Sequence, residues 1–118
     1  MSETFITAYK VAALWSSTDD EGNPLDDDFS INDFSSEANQ KVEADCAAFL
    51  AKCEEKGIEF SFEELEQAGH DFWLTRNHHG CGFWDGDWSE HGEVLTEIAH
   101  SFGEAWIYVG DDEKIYFL

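Results

Sequence analysis

Apolar residues recur along the chain at spacings that change from stretch to stretch, and the changes mark the elements. Between Phe5 and Trp15, apolar groups at Phe5, Ile6, Tyr9, Ala12, Ala13 and Leu14 fit one helical stripe. So short a run is also compatible with strand alternation, but helix is the preferred reading. From Glu37 to Lys56, residues Val42, Cys46, Phe49, Leu50 and Cys53 fall at i, i+4, i+7, i+8 and i+11, a continuous helical face. Its other face carries Glu37, Glu43, Asp45, Glu54 and Glu55, with Lys41, Lys52 and Lys56 between them. Gly57 is placed to end this helix as a left-handed cap. Ser61-Phe62-Glu63-Glu64 has the spacing of a capping box, with Phe60 and Leu65 positioned as a hydrophobic staple. The helix opened there is expected to stop near Ala68, before Gly69.

Two short runs, Phe72-Trp73-Leu74 and Gly82-Phe83-Trp84, read as strands joined by the long loop 75–81. Asp87-Trp88-Ser89-Glu90 repeats the capping-box spacing. It opens a helix expected to bury Val94, Leu95, Ile98 and Phe102 and to end at Gly103. Ala105–Val109, the turn Gly110-Asp111-Asp112-Glu113 and Lys114–Leu118 predict a closing hairpin. The segment 16–36 is different: it holds the only proline and several turn formers. Yet Leu25, Phe29, Ile31 and Phe34 interrupt its acid, which predicts a loop pinned to the core with its carboxylates outward. The pattern as a whole predicts an α+β fold: about four helices packed on a small, mainly antiparallel sheet, in one domain over 1–118.

Composition adds ample apolar material for one core, since 15% of the 118 residues are aromatic. The charge changes the picture more. Asp and Glu total 27 against 6 Lys and Arg, a formal net charge of -21. Such a surface repels phosphates and anionic lipid headgroups and stresses its own fold by self-repulsion. Direct binding to nucleic acid or to an anionic membrane is therefore excluded. Two explanations of the acid remain open: solubility, including a halophilic host, or an interface for a basic partner. Met1-Ser2-Glu3-Thr4 lacks a basic n-region, so no secretory signal is expected, and no apolar run approaches the roughly 18 residues of a membrane span. Cys46, Cys53 and Cys81 are odd in number and irregularly spaced, which fits a reducing cytoplasm better than a disulfide framework.

Few residues suggest chemistry. His78, His79, Cys81 and His91 have metal-type side chains, but their spacing is no familiar zinc knuckle, so they read as polar loop residues. His70 with Asp71, Asp85 and Asp87 could form a carboxylate cluster, which chance proximity explains in so acidic a chain. Arg76, the only arginine, is expected to pair with Asp71 or Asp85 as a structural ion pair. Trp73, Trp84, Trp88 and Trp106 read as core, because base stacking needs a positive groove beside the ring. No catalytic residue, metal or cofactor is expected.

Ala13-Leu14-Trp15-Ser16-Ser17-Thr18-Asp19-Asp20, the run Gly69–Asn77, Gly82-Phe83-Trp84-Asp85 and Tyr108–Tyr116 together resemble a widespread group of small acidic proteins of tailed bacteriophages and prophages. The resemblance spans nearly the whole chain. That family usually has glycine where His78 stands and alanine where Cys81 stands, which further weakens a metal site. The resemblance implies a phage origin and expression in the cytoplasm of a bacterial host, without giving an activity.

Small acidic phage proteins are often inhibitors that imitate DNA. Duplex DNA carries one negative charge per roughly 1.7 Å, so the about 30–40 Å span of such a domain corresponds to roughly 20 phosphates. The net charge of -21 is of that order. The expected function is a DNA mimic that occupies a basic host DNA-binding protein, with gyrase favoured by analogy over restriction or CRISPR systems and nucleoid proteins. Its partner-binding residues would be Asp19, Asp20, Glu21, Asp26, Asp27, Asp28, Asp33, Glu37, Glu43, Asp45, Glu54 and Glu55. The alternative is a virion or assembly accessory protein whose acid serves solubility; a homodimer is compatible with either.

Overall fold

In a computed structural model, which describes residues 3–19, 21–78, 82–83, 88 and 91–118, the helical stripes all find partners. Helix α1 (Glu3–Ser16) buries Phe5, Ala8, Tyr9, Ala12, Ala13 and Leu14. Helix α2 (Ser36–Glu55) buries Val42, Cys46, Phe49 and Cys53, the face its periodicity marks out, and Gly57 follows with φ +77. Ser35 caps it, accepting from the Ala38 N–H. The capping box at Ser61 forms: Ser61 Oγ accepts from the Glu64 N–H, and Glu64 accepts from the Ser61 N–H.

The largest departure from expectation follows that box. Helix α3 (Phe62–Arg76) runs through Gly69, and Phe72-Trp73-Leu74 belong to this helix, not to a strand. Gly69 lies in the contact with α1, the most extensive helix pair in the fold. A Cβ there would sit 2.3 Å from the Phe5 carbonyl oxygen and 2.9 Å from the Ala8 Cβ. The glycine therefore permits close helix approach and does not end the helix. Gly82 and Phe83, expected in the second strand, lie in a bend and a turn. Trp84, the loop positions His79 and Cys81, Asp85, and the second capping box with Asp87 and Glu90 lie outside the described residues.

Helix α4 (Gly92–His100) buries Leu95 and Ile98, with Val94 and Phe102 partly buried and Gly103 following at φ +73. Strands β1 (Ile107–Val109) and β2 (Ile115–Phe117) pair antiparallel, Tyr108 opposite Tyr116. The other edge of β2 is met by segment 34–35, through a bridge from Phe34 and the Ser35 N–H donated to the Ile115 carbonyl at 2.9 Å. The fold is thus α+β, with four helices and a two-stranded sheet among the described residues. None of these helices is long and apolar enough to cross a membrane.

Segment 16–36 is more ordered than a loop. Two 3-10 turns, Leu25–Asp27 and Ile31–Asp33, punctuate it, and Leu25 and Phe34 are buried as expected. In the core, the Phe49 ring stacks on Phe72 at 4.2 Å, on Phe83 at 5.7 Å and on Phe5 at 5.8 Å. Trp73 and Trp88 are core, as expected, whereas Trp106 stands 40% exposed.

A glycine on an exposed helix face loses to alanine by roughly 1 kcal/mol. At Gly69 the sign reverses. Gly69→Ala is expected to destabilise the protein by about 1–3 kcal/mol through overpacking, measured by urea denaturation. An unchanged or higher midpoint would contradict the close α1–α3 contact.

Candidate binding surface

Arg76 sets the terms for every other charge. It lies at the end of α3, 2% exposed, yet its guanidinium cannot deprotonate and must find acceptors. Its partner among the described residues is Asp45, at 2.8 Å, and not Asp71; Asp85 lies outside the described residues. The sequence places Asp45 far away on α2, so only the packing of α2 against the α3 end could reveal the pair. Nη1 also donates to the Tyr9 hydroxyl at 2.9 Å, Nε to the Gly103 carbonyl at 2.9 Å and Nη2 to the Phe102 carbonyl at 3.1 Å. Burial opposes the charge, but Tyr9 and Asp45 more than offset it, and the Arg76 pKa sits above the ordinary arginine value.

Asp71 has a different role. Buried in α3, it accepts from Trp88 Nε1 at 2.7 Å and from Gln67 Nε2 at 3.1 Å. It ties the Trp88 indole to the helix, while His70 lines a separate open hollow of about 450 Å³ with Glu3, Thr4, Thr7, Val11 and Glu66. His78 packs its ring on His100 at 4.5 Å. Among the described residues, no group of three or more His, Cys, Asp or Glu side chains could hold a metal ion. Cys46 and Cys53 are buried free thiols; burial pushes Cys53 up to about 12 and Cys46 well above its ordinary value.

The expected partner-binding acids divide into two groups. Three are engaged by the fold. Asp19 accepts from the N–H groups of Glu21 and Asn23, both at 2.9 Å, which closes its own turn. Asp33 accepts from the Ser30 N–H at 2.7 Å in a capping box, and Asp45 holds Arg76. These three, half-buried, also serve turns and the core. Glu21, Asp26, Asp27, Asp28, Glu37, Glu43, Glu54 and Glu55 are exposed, and Asp20 lies outside the described residues. Exposed acid also extends well beyond that set, to Glu59, Glu63, Glu66, Glu93, Glu97, Glu104, Asp111 and Glu113.

Of the six cations, Arg76 is buried and Lys10 partly buried, while Lys41, Lys52, Lys56 and Lys114 are exposed; three of the lysines also make contacts with the body. Lys41 reaches Asp45 at 3.2 Å and lies 5.6 Å from the Phe117 ring centroid. Lys52 lies 4.6 Å over Phe102, and Lys10 lies 5.3 Å over Phe34 with its ammonium donating to Asn39. Burial lowers the Lys10 pKa. Lys10 and Lys52 thus meet a ring quadrupole, while Lys41 meets both a ring and a carboxylate.

The chain matches no protein-family model, no curated protein and no solved structure.

A surface that sequence reasoning missed is the outer face of the hairpin, where Tyr108 is 43% and Leu118 85% exposed. The available signal was a strand apolar at every position, 105–109, which cannot bury both faces in a two-stranded sheet. There the Tyr116 hydroxyl donates to Asp112 Oδ2 at 2.6 Å. That hydrogen bond pushes the phenol up to about 12 and holds the carboxyl below its ordinary value.

Two outcomes follow. Asp45→Asn leaves a buried guanidinium without its counter-charge and is expected to lower stability by about 3 kcal/mol, read by denaturant unfolding. A loss under about 1 kcal/mol would mean the pair is no more than a surface bridge. Asp112→Asn should bring the Tyr116 phenol down towards its ordinary value near 10, seen as an earlier rise in phenolate absorbance. An unmoved titration would contradict the hydrogen bond.

Proposed function

We propose that this chain is a phage-encoded acidic DNA mimic that occupies the DNA-binding surface of a basic protein in the host cytoplasm. The observation that carries this reading is the unequal treatment of charge. Arg76, Lys10, Lys41 and Lys52 are committed to carboxylate, amide or ring contacts within the fold, whereas exposed carboxylates ring the surface. The exposed lysines, Lys41, Lys52, Lys56 and Lys114, leave most of the exposed carboxylates without a cation. The long axis measures 42 Å, a length of duplex that carries about 25 phosphates. The net charge of -21 comes close to that number.

Carboxylates on α2 and α3 are also held by rigid backbone, so little ordering entropy opposes association. The family resemblance supplies the phage setting, and analogy with other small acidic phage proteins favours gyrase, then restriction or CRISPR enzymes, as the target class. Exposed carboxylates at Asp26, Asp27, Asp28, Glu37, Glu43, Glu54 and Glu55 are the proposed contact set.

The test is capture from a bacterial lysate followed by competition. A basic DNA-binding protein should be retained, and both duplex DNA and salt should release it. Neutralising Asp26, Asp27, Asp28, Glu43, Glu54 and Glu55 one at a time should weaken capture by at most about fivefold each, the magnitude of exposed ion pairs. Capture indifferent to DNA and salt, or abolished by one neutralisation, would contradict mimicry.

A further inference from the structure

The outer face of the hairpin carries exposed apolar side chains. Strand alternation turns Ile107 and Ile115 inward, 8% and 0% exposed, and leaves Trp106 and Tyr108 outward. Leu118 donates its N–H to the Trp106 carbonyl at 3.0 Å, so Leu118 and Tyr116 lie across from Trp106 and Tyr108. Exposed apolar faces of this kind mark interaction sites.

The two tyrosine rings are also held in place. They stack on one another, centroids 5.8 Å apart and planes at 27°. Gly110 leaves room for the pair: a Cβ there would sit 2.5 Å from Tyr116 Cε1. Asp112 fixes the Tyr116 hydroxyl with Oδ2, while its Oδ1 accepts from the Lys114 N–H at 3.1 Å and so ties the carboxylate to the turn. Ring surface and carboxylates open onto one hollow of about 430 Å³, lined by Tyr108, Val109, Gly110, Asp111, Asp112 and Tyr116.

We infer that this hollow receives an arginine side chain of a basic protein partner; the inference rests on the proposed function only for the partner's basic character. A guanidinium matches each part of the lining. It stacks on aromatic faces, it pairs with carboxylates through a planar fork, and it sheds water more readily than an ammonium. A phosphate would be repelled by Asp111 and Asp112. A second copy of this chain would bring the same acidic turn, Asp111 to Glu113, against itself. An aliphatic segment would leave the carboxylates facing apolar surface.

The experiment is a residue-resolved NMR titration of the full chain with a short arginine–glycine peptide, and with its lysine–glycine counterpart at the same salt. The arginine peptide should shift the amide signals of 106–118 and bind several-fold more tightly than the lysine peptide. Tyr108→Leu keeps apolar bulk at an exposed site but removes the ring quadrupole. It should weaken arginine-peptide binding by about two- to fivefold and erase the preference over lysine. Glu97→Gln, exposed on α4 and outside the proposed contact set, should leave that preference intact. Should the leucine variant misfold, the shift map of the unmodified chain and its arginine-to-lysine ratio still decide the matter. Shifts confined to α2, equal affinity for the two peptides, or a preference that survives Tyr108→Leu would overturn the assignment. So would hairpin shifts that depend on protein concentration without peptide, which would seat a second copy there. Failure here with DNA-displaceable capture intact removes only the hairpin assignment. An arginine preference without such capture removes only the mimicry.

Discussion

A guanidinium carries its charge into whatever environment the chain gives it, so burying one obliges the fold to assemble acceptors around it. Arg76 imposes that obligation on this protein. Its guanidinium makes four hydrogen bonds, to Tyr9 on α1, Asp45 on α2 and the carbonyls of Phe102 and Gly103 just past α4, while the residue itself ends α3. Four helices are thereby referred to a single planar group. The rings of Phe72 and Phe102 lie 5.4 Å and 5.8 Å from its central carbon, so the aromatic core packs against the same cation. Hydrophobic burial supplies most of the stabilisation, but it is not directional. The fork of Arg76 is, and it selects one arrangement of the helices.

The arrangement has a consequence for the surface. Asp45 and Arg76 neutralise each other, Lys41 reaches Asp45 from the surface, and Lys10 and Lys52 lie over phenylalanine rings. A chain with so few cations uses most of them to hold itself together. The carboxylates left outside face one another across water, and their mutual repulsion is relieved only by counterions or by a basic partner. Stability and binding are linked in this way: what makes the isolated surface unfavourable makes its association favourable.

Helix α2 was legible in the sequence because one of its faces is dry and the other wet, which writes a 3.6-residue period into the apolar positions. The box at Ser61 and the closing hairpin were legible for local reasons, a hydroxyl three residues before a carboxylate and a turn rich in Gly and Asp. The second half of α3 was not. Every residue from Phe72 to Asn77 is buried, so no polar face interrupts the run and no helical period appears. A short, dense apolar segment then looks like a strand, and Gly69 before it looks like a stop. The site divides along the same line. Exposure of Asp26, Asp27 and Asp28 follows from local pattern, whereas the pairing of Asp45 with Arg76 depends on residues 31 positions apart. The turn-closing use of Asp19 and Asp33 was readable in principle, since both sit in turn sequences where a carboxylate accepts from nearby backbone.

The buried Arg76 is neutralised within the fold, and the few exposed lysines leave a repelling, largely unneutralised carboxylate surface. Thermal unfolding of the isolated chain at neutral pH, followed from about 10 mM to about 150 mM monovalent salt, tests it directly, because screening acts on exposed charges and hardly on buried pairs. The melting temperature should rise steadily over that range as repulsion between carboxylates is screened. A flat or falling curve would show surface charges already balanced within the folded chain, and the account would be wrong.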